Sequence, residues 1–236
     1  MDQLTPQNPN SIQNMFGAIA GKYDLANTVL SMGIHHLWKN ALVRKSGAKP
    51  GDNILDCATG TGDLAFRFEA VLRGQGSVVG SDFCEPMLEI ARAKATQQGS
   101  KASFVVADAM KLPFENSKFD IASISFGIRN IKDTTQALNE LGRVVKPGGR
   151  VLVLEFGQPK STLMANLFGF YSNSVLPRLG GWISGQSQAY RYLQTSSSTF
   201  PCGEDFLNIA RSTGKFTKLD YRTFQNGIAY LYCLER

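Results

Sequence analysis

A chain of 236 residues, 43% hydrophobic and 19% charged, is expected to fold as one domain with a substantial core, which excludes an intrinsically disordered protein. No apolar run reaches the roughly 18 residues of a membrane-spanning helix, and the polar first ten residues do not resemble a secretory signal, so we expect a cytoplasmic protein. The net charge of +6 suits an anionic membrane surface, but basic residues never occur in runs longer than two, so no nucleic-acid partner is expected.

The predicted elements begin with an N-terminal helical segment, residues 1–46. Its first 14 residues are polar, and we expect the body of the fold or a partner to order them. Short apolar runs then alternate with helical stretches, which is typical of a parallel sheet covered on both faces. The predicted strands are 53–57, 77–81, 103–107, 119–125 and 150–156, and the predicted helices lie near 64–73, 86–98 and 133–146.

The alternation stops in an apolar and aromatic stretch, residues 160–190, which predicts an inserted helical cap. It resumes with a helix near 203–213 and two strands near 216–223 and 227–234. The link between these strands is too short for a parallel crossover, so the last strand is predicted to be antiparallel. We therefore expect a single α/β domain over 1–236, with a mostly parallel, seven-stranded, Rossmann-like sheet.

A glycine turn follows the first predicted strand. Asp56 ends that strand, Gly60 and Gly62 form the turn, and a helical segment follows, an order that brings backbone amides against a ligand. The turn is neither a P-loop nor a full G-x-G-x-x-G, because Ala65 stands three residues after Gly62. Acids on both sides, Asp56 and Asp63, suit a ligand with a cationic end and hydroxyls, such as S-adenosylmethionine.

The ends of the next strands support the same ligand, because ligands bind at the carboxyl ends of strands in open α/β sheets. Asp82 lies 22 residues beyond Gly60, where an acid can bind ribose hydroxyls. Asp108 would face an adenine amino group, and the run that begins at Ser125 would lie near the sulfur and the substrate. Each acid alone could be a helix cap. Together with the antiparallel last strand, they predict S-adenosylmethionine binding and the class I methyltransferase fold.

Four longer motifs resemble the ubiquinone/menaquinone biosynthesis C-methyltransferase family. Tyr23 to Trp38 resembles its N-terminal signature, and Arg143 to Phe156 resembles its second signature. The Phe-Gly-Ile-Arg-Asn run within Ser125 to Asn130 and the Tyr-Arg-Tyr-Leu run from Tyr190 to Leu193 are further matches. The resemblance therefore covers nearly the whole chain.

The resemblance implies C-methylation of a polyprenylated hydroquinone, foremost demethylmenaquinol, with S-adenosylmethionine as the methyl donor. By the same resemblance, Asp56 and the two glycines shape the turn, and Asp63 meets the amino-acid end of the donor. The implied cofactor-binding residues are Asp56, Gly60, Thr61, Gly62, Asp82, Asp108, Ala109 and Ser125.

Such a reaction needs the acceptor carbon aligned with the methyl group and made electron-rich by ionisation of a ring hydroxyl. A base within hydrogen-bond reach would add about 10²–10⁴-fold in rate. Since arginine stays protonated, Arg129 is expected to stabilise charge on the ring oxygen. His35 could be the base, or it could pack near Trp38 as a structural residue. The candidate catalytic residues are Arg129, Asn130, His35, Asp63 and Tyr190.

Several alternatives stay open. The acceptor could instead be 2-methoxy-6-polyprenyl-1,4-benzoquinol of ubiquinone biosynthesis, or another small phenol or lipid. The chain could also be a non-catalytic S-adenosylmethionine-binding component of a quinone-synthesis complex. The cap could complete the core or form an apolar surface for the isoprenoid tail. We further expect peripheral contact with the inner face of the cell membrane and assembly as a homodimer or within a quinone-synthesis complex. The four cysteines lack metal-ligand spacing, and no metal site is predicted.

Overall fold

The computed structural model describes residues 4–159, 161, 169 and 187–236. Most of the predicted cap over 160–190 therefore lies outside the described residues. Three helices come first: α1 Pro9–Ile19, α2 Tyr23–Leu30 and α3 Ile34–Ser46. The body of the fold orders α1, because Asn8 caps its first turn and Ile12 is fully buried.

Seven strands form one sheet in the order β3-β2-β1-β4-β5-β7-β6. The first five strands are parallel, and β7 runs antiparallel to both of its neighbours, as the short link predicts. Their bounds are β1 Asn53–Cys57, β2 Ser77–Asp82, β3 Ser103–Val106, β4 Phe119–Ser125, β5 Val145–Phe156, β6 Lys218–Phe224 and β7 Ala229–Glu235.

Helices cover both faces of the sheet. Alternate residues of a strand face opposite layers: Ile54 packs with α3, α4 and α5, whereas Leu55 packs against α6 and α8. This explains why the parallel strands read as continuous apolar runs. The bounds of the remaining helices are α4 Asp63–Leu72, α5 Glu85–Gln98, α6 Thr134–Val144, α7 Ser187–Thr199 and α8 Glu204–Ser212.

The region between α6 and β5 differs from the prediction. The helix ends at Val144, two residues before the predicted end, and β5 starts five residues before the predicted start. Residues 148 and 149, which lie between the predicted helix and the predicted strand, pair with the chain end: the Gly148 amide donates to the Arg236 carbonyl, and the Arg236 amide donates to the Gly149 carbonyl. The pairing register of β4 with β5 shifts there.

Helix α7 extends nine residues beyond the predicted cap. Its Ser- and Thr-rich C-terminal half has low helix propensity, because these hydroxyls compete for backbone hydrogen bonds. Here the hydroxyls donate to carbonyls three or four residues earlier, as from Thr195 to Arg191. Gln158 then donates from Nε2 to the carbonyls of Ser197, Ser198 and Phe200. Tertiary contacts thus support a helix that the local sequence disfavours.

Within the described part of the chain, no helix combines the length and apolar character that crossing a bilayer requires.

Candidate active site

Two cavities open where the parallel strands end. The larger one, about 420 Å³, lies between the N-terminal helices, the glycine turn and α7. The smaller one, about 280 Å³, lies over the ends of β2 and β3. They share walls, namely Phe16, Tyr23, Ala58, Gly60, Ser125 and Phe126. Most of the predicted cofactor-binding residues line one cavity or both: Asp56, Gly60, Thr61, Asp82, Asp108, Ala109 and Ser125.

The two glycines of the turn have different tasks. At Gly60 a methyl group would meet nothing closer than Tyr23, 4.0 Å away, so the backbone is open to a ligand on this side. At Gly62 the φ angle is +86°, and a methyl group would lie 2.9 Å from Phe66 and 3.1 Å from Phe104. Gly62 lines neither cavity. Its lack of a side chain therefore leaves room for these two aromatic rings, and its role in cofactor binding stays a prediction.

Asp56 supports the turn from beneath. It is buried at the end of β1, where Thr59 Oγ1 donates to Oδ2 at 2.6 Å and Ser123 Oγ donates to Oδ1 at 2.8 Å. Burial raises the pKa of Asp56 to about 6, although both hydroxyls lower it. The carboxylate thus links two strands to the turn and also borders the larger cavity.

Asp82 holds the other side of the turn. Its carboxylate accepts the Gly60 amide and the Cys84 amide, each at 2.9 Å. Burial raises the pKa of Asp82, and these backbone amides oppose the rise. Each carboxylate oxygen keeps lone pairs for a further donor, such as a ribose hydroxyl. The exposed Asp108 accepts the Met110 amide at 2.8 Å and lines the same cavity.

The Thr61 hydroxyl is committed to the protein. It donates to Asp24 Oδ1 at 2.6 Å, and Asp24 in turn pairs with Lys94. Lys94 also donates to the Thr61 carbonyl at 3.3 Å. The predicted cofactor contact therefore also ties α2 to the glycine turn, and its side-chain oxygen can only accept from a ligand.

Asp63 lies in a network of basic residues beside the larger cavity. Lys39 Nζ donates to Oδ2 at 2.9 Å, and Arg67 Nε donates to Oδ1 at 3.1 Å. Burial alone would raise the pKa of Asp63, but Lys39 and Arg67 lower it to about 2. At neutral pH this carboxylate is a stable anion and a weak proton acceptor.

His35 is buried in α3, with Nδ1 2.6 Å from Ser31 Oγ. Burial, followed by the neighbouring charge of Lys39, lowers the pKa of His35 to about 4. The imidazole is therefore neutral at pH 7 and more weakly basic than its ordinary value suggests. His35 lines the larger cavity, and its alternative roles as the base or as a structural residue stay predictions.

His35, His36 and Asp63 hold ligand-type atoms within 4.8 Å of one another. The protein supplies its own cations to this cluster, because Lys39 and Arg67 bind Asp63 and Arg67 Nη2 lies 2.8 Å from His36 Nδ1. Since arginine can only donate, that histidine nitrogen acts as the acceptor. The cluster is thus an internally paired network, and we assign no metal to it.

Arg129 is buried in the wall of the larger cavity. Its Nη1 donates to Glu155 Oε1 at 2.5 Å and to the Phe126 carbonyl at 2.7 Å. Its Nε is buried and has no hydrogen-bond partner among the described residues. Glu155 is also buried, so the pair fixes the guanidinium of Arg129 in the wall of the cavity, with one donor left over.

The neighbouring Asn130 faces the smaller cavity instead. Its Oδ1 accepts the Tyr192 hydroxyl at 3.0 Å. Tyr192 in α7 is buried, which raises its pKa to about 12, and it lines the larger cavity. The structure therefore places the predicted Arg129–Asn130 pair on two different cavities. Tyr190 lies in α7, but its side chain is outside the described part of the structure.

Ser125 lies where the cavities meet. Its Oγ is buried and has no partner among the described residues, so it is available to a ligand.

The sequence predicted Ser125 as a site residue because it ends β4. It missed Lys39, Glu155 and Tyr192. Glu155 precedes the last residue of β5, so the strand-end rule could have identified it, whereas Lys39 follows His35 by four positions on one helix face.

Comparison with known proteins gives a family match over most of the chain. The model of the ubiE/COQ5 methyltransferase family matches residues 4–234. The ubiquinone/menaquinone biosynthesis C-methyltransferase UbiE of Bdellovibrio bacteriovorus is 51% identical over 225 residues, 95% of each chain. The protein of the same name from a Ruegeria species is 43% identical over 223 residues, 94% of this chain and 88% of its own.

Solved structures share the fold at low sequence identity. A SAM-dependent methyltransferase from Aquifex aeolicus is 17% identical, with a TM-score of 0.58 over 83% of this chain and 87% of its own. Phosphoethanolamine N-methyltransferase 2 of Haemonchus contortus, in complex with S-adenosyl-L-methionine, is 18% identical, with a TM-score of 0.63 over 84% of this chain and 52% of its own. These likenesses confirm the predicted fold.

Proposed function

We propose that this chain, which belongs to the ubiE/COQ5 methyltransferase family, transfers a methyl group from S-adenosylmethionine to a ring carbon of a polyprenylated hydroquinone. The family predicted from the sequence motifs is confirmed by the match to the family model and by the identity to its members. Their printed names place those relatives in ubiquinone and menaquinone biosynthesis, which supports a quinol as the acceptor here.

One observation carries the proposal: a cavity with strand-end carboxylates lies against a larger, mainly apolar cavity, and Gly60 and Ser125 belong to the walls of both. Ligand sites are concave and mostly apolar, with a few placed polar groups. A methyl donor and an aromatic acceptor must meet at such a junction. The open space at Gly60 and the unpartnered Ser125 hydroxyl fit a bound group there.

The residues around the smaller cavity suit the donor. Asp82 would accept from ribose hydroxyls, and Asp108 with Ala109 would meet the adenine. When bound, S-adenosylmethionine supplies an electrophilic methyl group on a sulfonium. The protein's own contribution is to hold the two reactants in register, which can supply on the order of 7–11 kcal/mol of the barrier.

The larger cavity suits an aromatic acceptor. Trp38, Phe126 and Phe156 are among its walls, and Phe126 packs on Phe156 with ring centroids 4.5 Å apart. Arg129, fixed by Glu155, would stabilise negative charge on a ring oxygen of the quinol. The low pKa values of His35 and Asp63 make both weak proton acceptors at neutral pH, so we assign them to orientation of the ring.

We propose demethylmenaquinol as the acceptor, with 2-methoxy-6-polyprenyl-1,4-benzoquinol as the second candidate, since the relatives' names cover both pathways. The two can be separated by the quinone content of cells from which the gene has been deleted. We expect demethylmenaquinone to accumulate, and restoration of menaquinone by the intact gene but not by the double variant Arg129→Leu, Glu155→Leu. Accumulation of the methoxy-benzoquinone would instead favour the second candidate, and an unchanged quinone profile would count against both.

The alternative, a non-catalytic component of a quinone-synthesis complex, predicts cofactor binding without methyl transfer. Such a component would bind S-adenosylmethionine in calorimetry yet methylate no quinol. The buried Arg129–Glu155 pair supports the enzyme, because it holds a guanidinium with one unused donor in the wall of the apolar cavity, where a quinol oxygen could accept from it.

A further inference from the structure

Helix α2 is apolar on both sides. Ala26 and Leu30 face inward, where they pack with Ile19 of α1. Leu25 and Val29, four positions apart on the opposite face, are 60% and 44% exposed. A surface helix normally carries polar residues on its outer face, and a helix apolar all round belongs in a core or a lipid environment.

The exposed apolar residues continue through the turn into α3. Met32 is 78% exposed and Leu37 is 63% exposed. Thr28 Oγ1 lies 3.5 Å from His36 Nε2, which places the outer sides of the two helices next to each other. We call Leu25, Val29, Met32 and Leu37 the α2–α3 apolar patch. Among the described residues, the only other exposed large hydrophobic residue is Val106, at the end of β3.

The charge pattern around the patch is that of a membrane-facing surface. Residues 25–38 contain no acidic or basic residue other than histidine. Lys22 is exposed before this stretch in the sequence and Arg44 is exposed after it, whereas the neighbouring Lys45 pairs with Asp220. The nearest acid in the sequence, Asp24, is already bound to Thr61 and Lys94, and Asp63, which lies 3.8 Å from His36, is paired with Lys39 and Arg67. An uncharged apolar surface with basic flanks complements anionic lipid headgroups above an acyl layer.

The patch is continuous with the larger cavity. Met32 belongs to both, and Leu30 and Ile34 from the same two helices line the cavity. A molecule that moved from the patch into the cavity would pass along these apolar side chains before it reached Trp38 in the cavity wall. The patch thus borders the cavity that the proposed function assigns to the quinol.

We propose that the α2–α3 apolar patch docks on an anionic lipid bilayer, so that the quinol ring enters the larger cavity while its tail stays in the lipid. The second half of this proposal rests on the proposed function; the docking itself does not. A bilayer fits better than a protein partner, because stable protein interfaces take about 20–30 residues a side. Four side chains with basic flanks are enough for reversible, charge-assisted binding to lipid.

Vesicle binding tests the proposal with full-length protein. Flotation with vesicles of phosphatidylethanolamine and phosphatidylglycerol is compared for the wild type, the triple variant Leu25→Gln, Val29→Gln, Leu37→Gln, and the control Val106→Gln. All substituted side chains are exposed, so circular dichroism and the thermal midpoint should match the wild type. We expect the triple variant to lose about tenfold or more in vesicle partition and the control to lose none. Binding should weaken for all proteins on neutral phosphatidylcholine.

Turnover separates the docking from the proposed function. The triple variant should methylate a tail-less quinol as fast as the wild type and a vesicle-bound prenylated quinol more slowly. If no quinol is methylated by either protein, the proposed function fails, and vesicle partition alone judges the patch. Equal partition of the triple variant and the wild type would overturn the proposal. So would a triple variant that binds vesicles normally but changes oligomeric state in light scattering, because the patch would then join two copies.

Discussion

Arg129 lies in the wall of the larger cavity because Glu155 balances its charge there. Removal of one member of a buried pair leaves the other as an uncompensated charge, whereas removal of both can be almost neutral. The pair therefore allows its structural role to be separated from its role in the reaction.

We expect Glu155→Leu to lower the free energy of unfolding by about 3–5 kcal/mol, because Arg129 then stays buried without a counter-charge. The double variant Arg129→Leu, Glu155→Leu should recover most of this stability in urea denaturation. It should still bind S-adenosylmethionine but lose about 10²-fold or more in methyl transfer. A stable double variant with normal turnover would show that the pair serves folding only.

Asp82 can be tested by its contribution to donor binding. Asp82→Ala should weaken S-adenosylmethionine binding by about 1–3 kcal/mol in calorimetry, because a buried charge-assisted acceptor is lost. Asp220→Ala is the matched control, since Asp220 pairs with Lys45 on the surface of β6 and lines neither cavity. Equal dissociation constants for the two variants would argue against the assigned role.

The lowered pKa of His35 predicts a pH-dependent contribution to stability. The unfolded residue binds a proton below about pH 6.5, but the folded residue does so only below about pH 4, because of burial and of Lys39, His36 and Arg67, which outweigh Asp63. The unfolded state therefore holds more protons in this window, and the contribution is present above pH 6.5 and lost as the pH falls.

Urea denaturation of the wild type and His35→Gln should reveal this contribution as a difference. The wild type's advantage in free energy of unfolding should grow by up to about 3 kcal/mol as the pH rises from 4 to 6.5. A difference that stays constant across this range would mean that the folded His35 titrates at its ordinary pKa.

Residue type and strand position were enough to predict that Asp82 and Ser125 border the site, since the ends of parallel strands share one edge. They were not enough to predict the lowered pKa of His35, because this pKa depends on the burial of the side chain among the N-terminal helices. Nor could they show that Asn130 bonds Tyr192, 62 positions away. The sequence thus predicts which residues lie at the ends of the strands, because strands and helices alternate along the chain. It does not predict the contacts that depend on tertiary packing.

At the scale of elements, the glycine turn and α4 depend on backbone conformation and on side-chain packing together. Gly62 in the turn and Gly33, which directly precedes α3, both have a positive φ angle. A methyl group at Gly62 would contact Phe66 and Phe104, whereas a methyl group at Gly33 would meet nothing within 4 Å. The two positions thus separate conformational strain from steric overlap.

Gly33→Ala should lower the free energy of unfolding by about 1–2 kcal/mol, through strain alone. Gly62→Ala should cost a further 1–3 kcal/mol, roughly, because Phe66 and Phe104 must move. Urea denaturation of both variants measures the difference. Equal losses would indicate that the two aromatic rings adjust without cost and that only the φ angle matters.

The elements that the sequence predicted least well are those that depend on distant partners. Helix α7 persists through a Ser- and Thr-rich run because Gln158, about forty positions earlier, binds its last carbonyls. Strand β5 starts early because the chain end pairs with residues 148 and 149. By contrast, α4 and α5 begin and end within a residue of the prediction, because their boundaries lie in local turns.

At the scale of the whole molecule, the parallel sheet sets the line along which the strand ends meet, and the N-terminal helices close the space above it. The mostly parallel sheet and the antiparallel β7 followed from the alternation of elements and one short link, whereas the order of the strands was not predicted. The division into two cavities did not, since it depends on how α1, α2 and α3 pack over the turn. The joined cavities are the feature that relates this fold to a two-substrate transfer.

The central claim is that the junction at Gly60 and Ser125 brings a methyl donor to a ring carbon of a prenylated quinol. The most direct test incubates the protein with methyl-labelled S-adenosylmethionine and demethylmenaquinol and then locates the label by NMR of the extracted quinone. We predict label on a ring carbon, lost in the double variant Arg129→Leu, Glu155→Leu. Label on a ring oxygen, or no label in the quinone while S-adenosylmethionine remains bound, would contradict this account.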